Sequence, residues 1–81
     1  MAEKKQKSKI DLYIIRQVRA FREARGLGQE DLALHLGKST GFIGQIESPN
    51  SRAKYNTIHM NELAKLFKCS PKDFMPEKPL V

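Results

Sequence analysis

The chain contains one cysteine in 81 residues, no tryptophan, and only 7% aromatic residues. Cys69 has no partner within the chain, so no internal disulfide is available and packing alone must hold the fold. That cysteine usage fits a reducing compartment, and a cytoplasmic setting is expected. Long apolar runs are also missing. Nothing approaches the ~20 consecutive apolar residues that span a bilayer. The basic stretch Met1 to Lys9 is not followed by the apolar segment of a secretory signal, so neither membrane insertion nor export by that route is expected. Acidic residues are in deficit, with 9 Asp+Glu against 15 Lys+Arg and a net charge of +6, a balance that favours polyanionic partners. A single domain of this length buries roughly 60–65% of the surface its unfolded chain exposes, enough for one modest core but not for a cleft between lobes.

Catalytic and metal-binding patterns are equally scarce. His35 and His59 have no second histidine or cysteine at ligand spacing, and no nucleophile–base pair, Gly-rich phosphate loop or paired-carboxylate arrangement is present. The sequence therefore predicts no enzyme, no metal and no cofactor.

Apolar periodicity organises the rest of the chain. Residues 1–9 hold four lysines and one glutamate with almost nothing apolar, which predicts a flexible basic arm. From Ile10 or Asp11 onward, Leu12, Ile14, Ile15, Val18 and Phe21 recur at helical spacing, with arginines at positions 16, 19, 22 and 25 between them. Asp11 is the expected cap of this first helix, Gly26 its left-handed end, and Arg16, Arg19 and Arg25 are expected on its solvent face. A second helix, Gln29 to Leu36, puts Leu32, Ala33 and Leu36 on one face and is stopped by Gly37. A third, about 39–47 and capped by Ser39 or Thr40, directs Ile43 and Ile46 inward and Thr40, Gly41, Gly44 and Gln45 outward. Its outer face is polar but uncharged. A turn-rich loop from Ser48 to Tyr55 carries Arg52 and Lys54, and Asn56 or Thr57 opens a fourth helix with the stripe Met60, Leu63, Ala64, Phe67. Ser70-Pro71-Lys72-Asp73 marks a short fifth helix ending at Pro76, and residues 77–81 form a frayed tail. The expected fold is all-α, with five helices in one compact domain over residues 10–76.

Two short helices joined by a tight turn, the second polar outside and apolar inside, form the arrangement that places a helix in the DNA major groove. Ala33 lies at the helix crossing, Gly37 makes the turn, and Ile43 packs back on the second helix. Over about Ile15 to Pro76 the chain resembles the Cro/repressor-type (XRE) helix-turn-helix family, whose fold is lambda-repressor-like. The matching pattern is Arg22, Gly26-Leu27, Gln29, Leu32-Ala33, Gly37, Ile43 and Ile46-Glu47, followed by Leu63-Ala64 and Phe67.

The resemblance implies sequence-specific binding of double-stranded DNA by a transcriptional regulator, most simply a repressor. Gln29, at the start of the second helix, would hold a phosphate, aided by the helix N-terminus. Ser39, Thr40, Gly41 and Gln45 would form the recognition surface, with Gln45 able to pair with adenine and Thr40 able to meet a thymine methyl or a phosphate. Phe42 would either touch a thymine methyl or pack against the neighbouring loop. Lys38, Arg52 and Lys54, with Tyr55 beside them, would flank the surface and contact phosphates. Arg22 and Glu47 would form an internal ion pair, and Cys69 would pack inside. The arm lysines Lys4, Lys5, Lys7 and Lys9 either embrace DNA or remain solvated.

A homodimer on a two-fold site is expected, because a monomer of this size covers little DNA, with apolar contacts from Phe74, Met75, Leu80 and Val81. The alternative is an antitoxin or other protein-interaction module of the same fold, with a toxin as partner. The chain departs from the family pattern at three places. Gly28 replaces the usual Ser or Thr cap, Gly41 and Gly44 fall within the recognition helix, and Pro49 stands where glycine is usual, in a loop about two residues longer than the family pattern.

Overall fold

Every helix but the second begins where the side chain of its cap residue accepts from a free amide of the first turn. The computed structural model describes residues 7–81. It contains α1 (Lys9–Ala24), α2 (Gln29–Leu36), α3 (Thr40–Glu47), α4 (Thr57–Phe67) and a 3₁₀ turn, Pro71–Phe74, with no strand among the described residues.

Ser8, not Asp11, caps α1: its hydroxyl accepts from the Asp11 N–H at 3.1 Å. Asp11 lies in the first turn, where its carboxylate complements the positive end of the helix dipole. At the other end Gly26 adopts φ +68°, and the N–H groups of Leu27 and Gly26 donate to the carbonyls of Arg22 and Glu23, a Schellman closure. Gly37, at φ +69°, closes α2 in the same way, with Lys38 N–H on the Ala33 carbonyl at 2.8 Å. The end of α4 repeats the motif with Lys68 at φ 59°, a position the sequence pattern did not mark because the residue is not glycine.

The fifth helix proves to be a single 3₁₀ turn. Pro76 pushes Met75 into extended backbone (φ −102°, ψ 149°), leaving only the four residues from Pro71 to Phe74 between the Ser70 cap and that stop. The turn is nonetheless well tied, with Ser70 N–H donating to the Asp73 carboxylate at 2.9 Å.

Ile14, Ile15 and Val18 of α1, Leu32 and Ala33 of α2, Ile43 and Ile46 of α3, and Met60, Leu63, Ala64 and Phe67 of α4 form one core with Tyr55 and Phe74. Phe74 is fully buried, so it is not available for the dimer surface expected of it, whereas Met75, Leu80 and Val81 remain exposed. Its ring lies 5.3 Å from Phe21 and 6.0 Å from Phe67, both edge-on, which fixes the turn against α1 and α4. Cys69 is half-buried against this core. Its thiol is held above its ordinary pKa by burial and by Asp73, against the opposing pull of Arg25.

Residues 1–6 of the expected arm lie outside the described residues. Lys7 is buried, with its ammonium donating to the Ser48 carbonyl at the end of α3, and Lys9 opens α1 and donates to the Val81 carbonyl. A lysine stem can run along apolar surface while its head meets the negative end of a helix, a tertiary opportunity that composition does not reveal.

Candidate nucleic-acid interface

The α2–turn–α3 unit is built on two fully buried isoleucines. Ile43 and Ile46 anchor the inner face of α3, so helical geometry turns Thr40, Gly41 and Gln45 to solvent, where all three are exposed. The turn between the helices is Gly37-Lys38-Ser39, and Ala33, 2% exposed, is buried on the inner face of α2. Ser39 is the cap of α3: its hydroxyl accepts from the Phe42 N–H at 3.2 Å, so this expected recognition residue is first of all the residue that starts the helix.

A buried polar network holds both ends of the unit. Arg22 donates from Nε to Glu47 Oε2 at 3.1 Å, from Nη2 to Glu47 Oε1 at 3.0 Å, and from Nη1 to the Leu27 carbonyl at 2.9 Å. The side chains of Arg22 and Glu47 are only 10% and 5% exposed. Gln29 joins the network by donating from Nε2 to Glu47 Oε1 at 3.0 Å. An amide nitrogen carries two hydrogens, and Glu47 takes one. The expected phosphate ligand is therefore oriented by the ion pair and keeps a second N–H. Gly28, which has no capping side chain, is served in reverse: its N–H donates to the Asp31 carboxylate at 2.7 Å.

Tyr55 is the clearest displacement from the sequence reading. Expected beside Arg52 and Lys54 as a surface contact, it is 5% exposed and part of the core. Its hydroxyl has no hydrogen-bond partner among the described residues. Burial chiefly, and the nearby Glu47 charge next, hold its pKa above the ordinary tyrosine value, with Arg22 opposing. The loop thus pins itself by an aromatic ring at one end while Arg52 stays exposed. Lys54 turns toward α1 and places its exposed ammonium 3.6 Å from Oδ2 of the half-buried Asp11, a long pair of little strength.

Phe42 is half-buried with its ring edge-on to His59 of α4, at 5.3 Å between centroids, and Lys38 lies over it. His59 accepts at Nδ1 from the Asn56 N–H at 3.1 Å. Burial first, and then the Lys38 charge, lower its pKa. His35 lies 2.8 Å from the Glu62 carbonyl and ties α2 to α4. Among the described residues no group of three or more His, Cys, Asp or Glu side chains could hold a metal. Of the α1 arginines, Arg16 is exposed and Arg19 pairs with Glu23 at 3.0 Å. Arg25 is tied down: it sits 5.0 and 5.2 Å from the Phe21 and Phe67 rings and donates to the Phe67 carbonyl at 2.9 Å.

The two glycines of α3 have helical backbone, and a Cβ would come no closer than 3.8 Å to other atoms at Gly41 (Ser39 Oγ) and 3.6 Å at Gly44 (Gln29 Oε1). Among the described residues nothing requires glycine there.

Solved structures share this arrangement. The restriction-modification controller protein C.AhdI from Aeromonas hydrophila superposes with a TM-score of 0.66 at 23% identity, covering 79% of this chain and 94% of that one. A hypothetical transcription factor, NHTF, from Neisseria gives 0.70 at 17% identity, covering 94% and 85%. The fold is that of the helix-turn-helix regulators. An HTH_3 family transcriptional regulator from Vibrio cholerae gives 0.65 at 26% identity over 80% of this chain, which spans 35% of that longer protein. No protein-family model and no curated protein matches the sequence. No helix among the described residues is long and apolar enough to cross a membrane.

Proposed function

We propose that this chain binds double-stranded DNA sequence-dependently as a transcriptional regulator, with α3 in the major groove. The observation that carries the reading is the outward face of α3. Its residues Thr40, Gly41 and Gln45 are exposed, polar and uncharged, they lie on a helix anchored by two fully buried isoleucines and a buried ion pair, and the exposed Lys38 stands in the turn just before it. Base edges are read by uncharged hydrogen-bonding groups, while phosphates are met by the cations around them.

Gln45 is the base-reading residue, with Thr40 and the open backbone at Gly41 beside it. Gln29, through its second amide hydrogen, Lys38, Arg52 and, after release from Asp11, Lys54 contact phosphates. Ser39 and Phe42 serve the interface by shaping α3, and Arg22 with Glu47 by fixing its end. The protein acts as a homodimer, since one copy covers too little DNA for tight specific binding, and Met75, Leu80 and Val81 supply the exposed apolar contact. Its place of work is the cytoplasm.

Selection of bound duplexes from a random-sequence pool at near-physiological salt tests the proposal. Enrichment of a two-fold motif with half-sites one helical turn, ~34 Å, apart is expected. Recovery of unenriched DNA would reject sequence-dependent recognition.

A further inference from the structure

Lys38, in the turn before α3, and Phe42, in the first turn of that helix, are four residues apart, and the Lys38 ammonium lies 5.4 Å from the centroid of the Phe42 ring. The same ring is held edge-on by His59 at an interplanar angle of 74°. His59 is itself fixed: its Nδ1 accepts from the Asn56 N–H, and its own N–H donates to Asn56 Oδ1 at 2.8 Å. Phe42 is therefore a supported platform rather than a free surface side chain. Lys38, exposed above it, has no ion-pair partner among the described residues.

We propose that Phe42 is a positioning residue for Lys38, an aromatic platform that holds the ammonium at the N-terminal rim of α3 ready for a DNA phosphate. The inference rests on the DNA-binding reading above and gives Phe42 a different task from touching a base. A free lysine loses rotamer freedom when it binds, whereas one already lying on a ring has lost part of it beforehand. The attraction of an exposed ammonium to a ring face shifts such an equilibrium by a factor of about 2 to 5. A ring also leaves the charge unneutralised and the ammonium donors available. Lys54 provides the contrast, because its partner is the Asp11 carboxylate, which a phosphate would have to displace.

The test is a double-mutant cycle on the full chain with the duplex enriched by selection, using Lys38→Gln, Phe42→Leu and the double variant across a salt series. Lys38→Gln is expected to weaken binding about tenfold at low salt and to reduce the magnitude of the log–log salt slope by about one. Phe42→Leu is expected to weaken binding about two- to fivefold, and the Lys38→Gln penalty should shrink by that same factor in its background. Phe42→Tyr, which keeps the ring, should restore parental affinity and slope. Strictly additive penalties would overturn the proposal while leaving DNA binding intact. If selection enriches no duplex, the proposal falls together with the DNA-binding reading. A readout without DNA is the proton spectrum of the Lys38 ε-methylene, expected upfield in the parent and at its ordinary position in folded Phe42→Leu. An ordinary shift in the parent would also overturn the platform.

Discussion

Glu47, the last residue of α3, is gripped by Arg22 of α1 through two parallel hydrogen bonds, Nε to Oε2 at 3.1 Å and Nη2 to Oε1 at 3.0 Å. The two residues are 25 positions apart, and the pair joins the end of α3 to α1. Removing one partner leaves the other buried without its counter-charge. Arg22→Ala or Glu47→Ala is therefore expected to cost about 3–5 kcal/mol, measured by urea denaturation. A loss within ~1 kcal/mol would show that water replaces the missing partner.

His59 links pH to stability. Its pKa in the folded protein is lowered from 6.5, chiefly by burial and next by Lys38. The folded state therefore favours the neutral ring, and the associated stability is present above the unfolded value of 6.5 and lost as the pH falls through the lowered folded value. A protonated Nδ1 also ceases to accept from Asn56. Urea midpoints measured between about pH 7.5 and 5 should fall more steeply for the parent than for His59→Gln. Parallel curves would remove His59 from the account.

Lys68 sits at φ 59°, where a side chain crowds the following carbonyl. Lys68→Gly should relieve that crowding, less the added chain entropy of glycine, for a net gain of about 0.5–1 kcal/mol in thermal or chemical denaturation. Destabilisation would mean that the lysine side chain makes a contribution larger than the backbone strain.

Gly41→Ala and Gly44→Ala each introduce a Cβ with no contact closer than 3.8 and 3.6 Å, respectively. Each should stabilise the protein by up to about 1 kcal/mol through helix propensity. If the outer face of α3 lies close to DNA, the same substitutions should weaken duplex binding even as the melting temperature rises. Unchanged affinity would show that the glycines are not needed for close approach.

Affinity should fall steeply with salt. With about five phosphates neutralised per copy and two copies bound, the log–log slope is on the order of −9. Fluorescence anisotropy over a salt series measures it directly, and a slope near zero would reject phosphate contacts as the source of affinity.

Local, repetitive or stereochemically forced features could be read from the amino-acid order alone. Apolar spacing placed four helices, because a buried stripe must recur about every 3.6 residues whatever lies opposite it. Gly26 and Gly37 marked left-handed turns because a side chain is strained there. The exposed face of α3 followed from Ile43 and Ile46 pointing inward. Properties that depend on which surfaces meet were decided only by the tertiary structure. Tyr55 is in the core although its loop is polar, Phe74 is under the 3₁₀ turn rather than on a dimer surface, and Lys7 is clasped to the end of α3. Gln29 is oriented by Glu47, and the Phe42 ring beneath Lys38 is backed by His59, through contacts that require α2, α3 and α4 to be assembled first. Periodicity records which way a side chain points, but its neighbour is chosen by the packing of the whole chain.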